Sequence, residues 1–346
     1  MNIAIITVYQ PFANLGSFLQ AYALKIYLEK QGHNVRFIKT SSHFKSAFAL
    51  VSTPRPYRSY FLRVQKAIYS LRDLMRLSYI DCSDSTIDCY IWGSDEIWNV
   101  TNKFFCRPIF WGKGVLNERP KIGYAISAGH ATAIDFRNNL SLTEGAKDFK
   151  CILSRDTNTK QLLQEVFGIN TQLVVDPTLL VKVDELSEKI PLPKYKYLLV
   201  YTYGIDGAII ELLRKFAEKH RLKIVSPFFW HIWADKTIEC SALQFSSLIA
   251  NAEYVFTTTF HGAVFSLINH SRCCILPMRQ KVRSLCETLK CESRLISSDC
   301  SYEEFEMVIS KPFDAEAFEI NLSQLRTLST SLLTTELKGI ENEKSN

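Results

Sequence analysis

The chain has 346 residues and lacks the marks of several protein classes. None of its ten cysteines forms a CxxC pair, and most sit inside apolar runs such as Arg272-Cys273-Cys274-Ile275-Leu276. No histidine and cysteine spacing resembles a zinc site, and a secreted disulfide framework would be denser and in a smaller chain. The cysteines therefore read as small, reduced core residues. No apolar stretch approaches the roughly 20 residues needed to span a bilayer. The N-terminus, MNIAIITVYQPF, has no basic segment before its short apolar run, so it reads as a strand and not as a signal peptide. There is no internal repeat and no low-complexity segment. Lysine and arginine (41) exceed aspartate and glutamate (35) by a modest +6, which selects no class of partner by itself. These absences point to the cytoplasm.

The composition is that of a globular protein, with 47% hydrophobic and 22% charged residues. The length favours two domains. Short, mostly apolar runs at Ile3 to Val8, Val35 to Ile38, Tyr90 to Trp92, Ile122 to Ile126, Cys151 to Leu153 and Leu173 to Val175 read as parallel strands, the first of them apolar enough for burial on both faces. The first is followed by a helix from Gly16 and Ser17, ended by Gly32. The prolines and lysines of IPLPKYK (190–196) read as a linker. A second strand and helix series follows: strands at Tyr197 to Tyr201, Lys223 to Val225, Tyr254 to Phe256 and Cys273 to Leu276, helices at 208–220, 242–250 and 262–270. A long amphipathic helix closes the chain. The expectation is an α/β protein of two Rossmann-like domains, 1–190 and 191–313, with a C-terminal helix and tail, 314–346, that crosses back. A ligand cleft between the domains, at the C-terminal ends of the strands, is the default site.

Five segments fall where such a cleft would lie. Asn14-Leu15-Gly16-Ser17 opens the first helix. Gly16 would let a ligand approach the backbone at a helix N-terminus, or it belongs to a simple turn and cap. In IWGSDEIWN (91–99), Asp95 could orient or deprotonate a hydroxyl and Trp98 could face a sugar, or Ser94 and Asp95 cap a helix and the tryptophans are core. Arg155, after the strand at 151–153, could bind an anion in bidentate fashion, or pair only with Asp156. Asp176-Pro177-Thr178 reads as a capped turn. The sharpest signal is TTTFHGAVFS (257–266), where His261 and Gly262 open a helix directly after a strand. A histidine there suits acid or base work, and the glycine suits close approach of a ligand. Separately, residues 55–79 carry Arg55, Arg58, Arg63, Lys66, Arg72 and Arg76 against one acid, Asp73, among aromatics. That helix either rests on anionic lipid or presents an ordinary solvated face.

Taken in order, NLGSFLQAYAL, IWGSDEIWN, SRD, VVDPTLL, LIANAEYVFTTTFHGAVFS and PMRQKVRSLCETLK resemble the polysaccharide pyruvyl transferase family over residues 3 to about 296. The resemblance implies a GT-B-like arrangement of the two domains. It also implies transfer of a pyruvyl group from phosphoenolpyruvate to a sugar as a cyclic ketal, with no metal and no other cofactor. Carried over by motif, His261 would shuttle the proton, Asp95 would orient or deprotonate the acceptor, and Arg155 and Lys281 would hold the donor's anionic groups. Asn14, Gly16, Gly262 and Trp98 would complete the substrate site. The implied partners are phosphoenolpyruvate and a sugar acceptor, lipid-diphosphate-linked in one version and met at the inner face of an anionic membrane. Nucleic acid is not among them. The sequence departs from some branches in one place, with Thr259 two residues before the histidine instead of arginine. A GT-B glycosyltransferase using a nucleotide sugar, or a non-catalytic glycan-binding relative, are the alternative readings.

Overall fold

Parallel strands covered on both faces need apolar side chains on both, and the strands obey this closely. A computed structural model of the chain describes residues 1–40 and 58–345. Arg55 therefore lies outside the described residues, as does the side chain of Arg58. Seven parallel strands form the first sheet: β1 (Asn2–Ile6), β2 (Asn34–Ile38), β3 (Tyr79–Ile80), β4 (Cys89–Gly93), β5 (Lys121–Ile126), β6 (Cys151–Ser154) and β7 (Gln172–Leu173). Their order is β3-β2-β1-β4-β5-β6-β7. The second sheet is also parallel, in the order β10-β9-β8-β11-β12. It comprises β8 (Tyr197–Tyr201), β9 (Lys223–Pro227), β10 (Lys236–Ile238), β11 (Tyr254–Thr257) and β12 (Cys273–Ile275). The edge strands β3 and β10 escape the sequence reading because two or three residues of mixed polarity carry no periodic signal.

Each sheet reverses its strand order once, between β1 and β4 in the first and between β8 and β11 in the second. Loops diverge at such a point and leave a crevice at the carboxyl ends of the strands. The helices that follow these strands meet in the middle. Helix α1 (Leu15–Lys30) packs against both α7 (Ala242–Ala250) and α8 (Phe260–Ile268) of the second lobe. It is accordingly buried well round its circumference, with Phe18, Leu19, Ala21 and Leu24 all fully covered. One apolar core runs from Ile5 through Phe18 to Phe265 and on to Leu333.

The last helix, α11 (Ala315–Ser345), starts on the second lobe and ends on the first. Asn321 donates to the Thr288 carbonyl, Arg326 to the Leu179 carbonyl, and the Val175 N–H donates to Ser329. Its last turns are tied to the first lobe by Lys150, which pairs with Glu343. The other helices are α2 (Arg58–Leu74), α3 (Ala133–Asn138), α4 (Leu140–Thr143), α5 (Thr157–Phe167), α6 (Gly207–Lys219), α9 (Gln280–Thr288) and α10 (Tyr302–Ser310). Among the described residues no helix is long and apolar enough to cross a membrane.

Helix α2 is a brace between the lobes as well as a charged surface. Arg72 and Arg76 both pair with Glu188, Arg76 at 2.9 Å. Lys66 lies 3.3 Å from the centre of the Phe228 ring. Of the six cations noted in the sequence, Lys66 thus meets the second lobe directly, while Arg72 and Arg76 hold Glu188 in the segment leading into it. Their one acid, Asp73, is fully buried and accepts the Ala242 N–H at the start of α7 at 2.7 Å. Burial pushes the Asp73 carboxyl up to about 6, against the pull of that N–H and of Arg76.

A carboxyl raised in the native state holds its proton between about pH 4 and 6 while the unfolded chain has released it. Stability therefore falls as the pH rises across that window. Asp73→Asn removes the titration. The stability of the variant relative to the parent, from denaturant unfolding, should rise by about 2 kcal/mol between pH 4 and 6.5 and level off above about pH 7. A difference independent of pH would contradict this account of the joint.

Candidate active site

The loops from both reversal points converge on a cavity of about 360 Å³ between the lobes. Asn14 comes from the loop after β1, Asp95 and Glu96 follow β4, Tyr203 follows β8, Thr259 and His261 follow β11, and Arg279 and Lys281 follow β12. The volume suits a small organic ligand. Phe260 and Lys281 form a wall shared with a narrower crevice of about 70 Å³, which Arg155, Leu173 and Leu325 also line.

Behind the cavity stands a buried carboxylate. Asp176 Oδ1 accepts from the Thr178 N–H and hydroxyl, which completes the turn expected of Asp-Pro-Thr. Its Oδ2 accepts from Arg155 Nη1 at 3.1 Å and from the Ser94 hydroxyl at 3.0 Å. The Nε2 of His261 lies 3.7 Å from Oδ1. Burial alone would raise the carboxyl, yet His261, Arg155 and Thr178 together hold it well below the usual carboxylate range. Asp176 thus stays ionised without contact with water, and four sequence segments are tied to it.

The β4 loop delivers the other acids. Asp95 adopts a left-handed backbone (φ 61°), which aspartate tolerates better than most residues, and its carboxylate accepts the Glu96 N–H at 2.9 Å. Glu96 accepts from Asn99 and pairs across the cleft with Lys281 at 2.8 Å. Burial opposes ionisation of Glu96, but Lys281, Arg155 and Asn99 outweigh it and bring its carboxyl down to about 2. Lys281 is therefore neutralised by a partner from the opposite lobe. Arg279, two residues earlier, is exposed on the rim, and its guanidinium has no ion pair or hydrogen bond among the described residues.

His261 is held on two sides. A methyl group at Gly16 would lie 2.1 Å from its Nδ1, so the missing side chain of Gly16 makes room for the imidazole. The opposite edge faces Asp176. At Gly262 a methyl would lie 2.1 Å from the Thr257 hydroxyl and 2.6 Å from that of Thr259. Thr259 caps α8 by accepting the Gly262 N–H at 3.0 Å. Both glycines thus serve packing within the protein, where the sequence suggested room for a ligand.

Two further expectations change. Trp98 is core: its ring stacks on Trp111 at 4.9 Å and its indole N–H donates to the Phe110 carbonyl, so no face is open to a sugar. Arg155 is buried against Asp176 and the Phe260 ring and is not on the cavity surface, and its Nη2 is buried without a hydrogen bond among the described residues. Asn14 lines the cavity and caps α1, accepting the Gly16 N–H. Asp95, His261 and Lys281 are brought together as expected from strand-end positions. Asp176, Glu96 and Arg279 are the members that the sequence reading passed over.

Two parallel sheets facing each other across this cleft define a GT-B fold. Solved structures share it: a putative UDP-N-acetylglucosamine 2-epimerase from Listeria monocytogenes (TM-score 0.59, 9% identity, 99% of this chain and 96% of that one) and the UDP-GlcNAc 2-epimerase of Neisseria meningitidis bound to UDP-GlcNAc (0.55, 12%, 98% and 100%). The UDP-GlcNAc 2-epimerase of Methanocaldococcus jannaschii is also similar (0.54, 15%, 94% and 99%). At these identities the likeness is one of fold. Compared by sequence with curated proteins, the chain matches none. Residues 14–277 match the sequence model of the polysaccharide pyruvyl transferase family, and the chain belongs to that family.

Gly16→Ala gives a diagnostic sign. In an ordinary helix this change stabilises by about 0.5–1 kcal/mol. Here the new methyl collides with His261, and denaturant unfolding should show a loss of roughly 1–3 kcal/mol, the usual cost of overpacking. A stabilised variant would mean that α1 and His261 are not in close contact.

Proposed function

We propose that the protein transfers a pyruvyl group from phosphoenolpyruvate to two hydroxyls of a sugar in a surface polysaccharide, forming a cyclic ketal. Family membership supports the reaction class. The observation that carries the reading is the charge layout of the cavity: unpaired Arg279 beside Lys281 from one lobe, Asp95 from the other, and His261 also lining it.

Phosphoenolpyruvate brings a carboxylate and a phosphate on one enol carbon. Protonation of its methylene leaves cationic character at that carbon. One sugar hydroxyl adds there, phosphate departs, and a second hydroxyl closes the ketal. Of the two hydroxyl protons, one replaces the proton given to the methylene and the other leaves with phosphate. Arg279 holds an anionic group of the donor in this scheme and supplies the cation that Thr259 does not, and Lys281 shares its ammonium between Glu96 and the second anionic group. His261 delivers the proton to the methylene and Asp95 accepts one from the acceptor. Arg155 acts from behind Phe260, positioning Asp176 and through it His261. The scheme requires no metal and no further cofactor. The fold is shared with an epimerase solved with UDP-GlcNAc, which makes that nucleotide sugar the competing ligand for the test.

Calorimetric titration should detect phosphoenolpyruvate and not UDP-GlcNAc. Arg279→Ala should weaken donor binding by roughly 10- to 100-fold, the value of a charge-assisted bond of about 1.5–3 kcal/mol. His261→Asn should keep donor affinity and lower phosphate release with an acceptor glycan by roughly 10²–10⁴. Binding of UDP-GlcNAc without phosphoenolpyruvate would overturn the proposal in favour of a nucleotide-sugar enzyme.

A further inference from the structure

The mouth of the cavity carries exposed apolar side chains that the chemistry does not use. Tyr203 and Met278 line the cavity and are themselves largely exposed. Beside them runs the loop 228–235 between β9 and β10, in which Trp230 is 53% and Ile232 85% exposed. The loop is held in place. Phe229 packs on Tyr203 at 4.9 Å and its carbonyl accepts the Ser226 hydroxyl. His231 stacks on Trp233 and its Nε2 lies 3.1 Å from the Thr202 carbonyl. With 229, 231 and 233 turned inward, 230 and 232 are presented outward. Lys66 fixes α2 to the same loop through Phe228, and that helix exposes Ile68 and Leu71, with Met75 exposed just past its end. Arg279, exposed and without an ion pair among the described residues, stands on the rim.

A rigid loop that shows water a tryptophan and an isoleucine, next to a cation, has the chemistry of a lipid interface. Indole and phenol rings settle at the headgroup level, isoleucine enters the acyl region, and arginine meets anionic headgroups. We infer that the mouth of the cavity docks on an anionic bilayer through Trp230 and Ile232. The patch is continuous with the cavity through Tyr203, and the chain's net charge of +6 has the sign such a surface attracts. This surface does not depend on the function proposed above.

The test uses the whole protein with vesicles of phosphatidylcholine, alone or with phosphatidylglycerol, and the double variant Trp230→Ser, Ile232→Ser. The parent should sediment with the mixed vesicles. The double variant should bind at least about tenfold more weakly while keeping the parental affinity for phosphoenolpyruvate, since neither residue lines the cavity. Trp92, Trp98 and Trp111 are fully buried and Trp233 is half-buried against His231, so most of the quenching of the parent's fluorescence by acyl-chain-brominated lipid should be lost with Trp230. A parent that ignores vesicles, or a variant that binds them equally, overturns the inference. So does a parent that dimerises through these two residues in the absence of lipid. Vesicle binding that persists in a protein with no affinity for phosphoenolpyruvate would strike the proposed reaction and leave the surface standing.

Discussion

A carboxylate without water must find its compensation within the protein, and at Asp176 that requirement organises the site. An uncompensated buried charge is far costlier than a lost surface contact, so the groups around it are not free to wander. Ser94 after β4, Arg155 after β6, Thr178 in its own turn and His261 after β11 each approach one or other of its oxygens. Three of these belong to the first lobe and one to the second. The carboxylate thereby fixes where the second lobe's histidine stands relative to the first lobe's acids, and positions it at an edge of the cavity.

The lobes meet through more than charge. Helix α1 lies between them, its N-terminal turn stripped of a side chain at Gly16 so that His261 can pack there. The shared apolar core and the crossing of α11 from Phe318 to Ile340 add area that small movements would expose. On the other side of the cleft, Lys281 and Glu96 close the gap with an ion pair. The cavity is thus the residual space of a well-packed joint, with one cation, Arg279, left over on its rim. In the proposed reaction each motif supplies one wall of this joint, and the chemistry needs both lobes.

What could be read from the sequence follows from how local the determining physics is. Strands such as Ile3 to Ile6 and Tyr254 to Phe256 are legible because burial on both faces writes itself as an unbroken apolar run. The helix at 242–250 is legible from the same periodic logic. Trp98 was ambiguous because a tryptophan at a strand end suits a sugar or a core equally, and the choice was made by Trp111 and the Phe110 carbonyl in another segment. Gly16 and Gly262 looked like openings for a ligand. Their occupants are His261, distant in sequence, and two threonine hydroxyls. Asp176 was hidden by a sufficient local explanation, since Oδ1 fully accounts for the Asp-Pro-Thr turn and only the fold reveals what Oδ2 does. Arg279 and Lys281 look alike in sequence and differ by the presence of Glu96 across the cleft.

In the proposed reaction the cavity between the lobes is the donor site, and the narrower crevice behind Phe260 serves as structure. A crystal structure of the protein with phosphoenolpyruvate addresses this directly. The ligand should lie in the larger cavity, its carboxylate or phosphate within hydrogen-bond distance of Arg279 or Lys281 and its methylene toward His261. Phosphoenolpyruvate seated in the crevice against Arg155, Leu173 and Leu325, with the larger cavity empty, would contradict it.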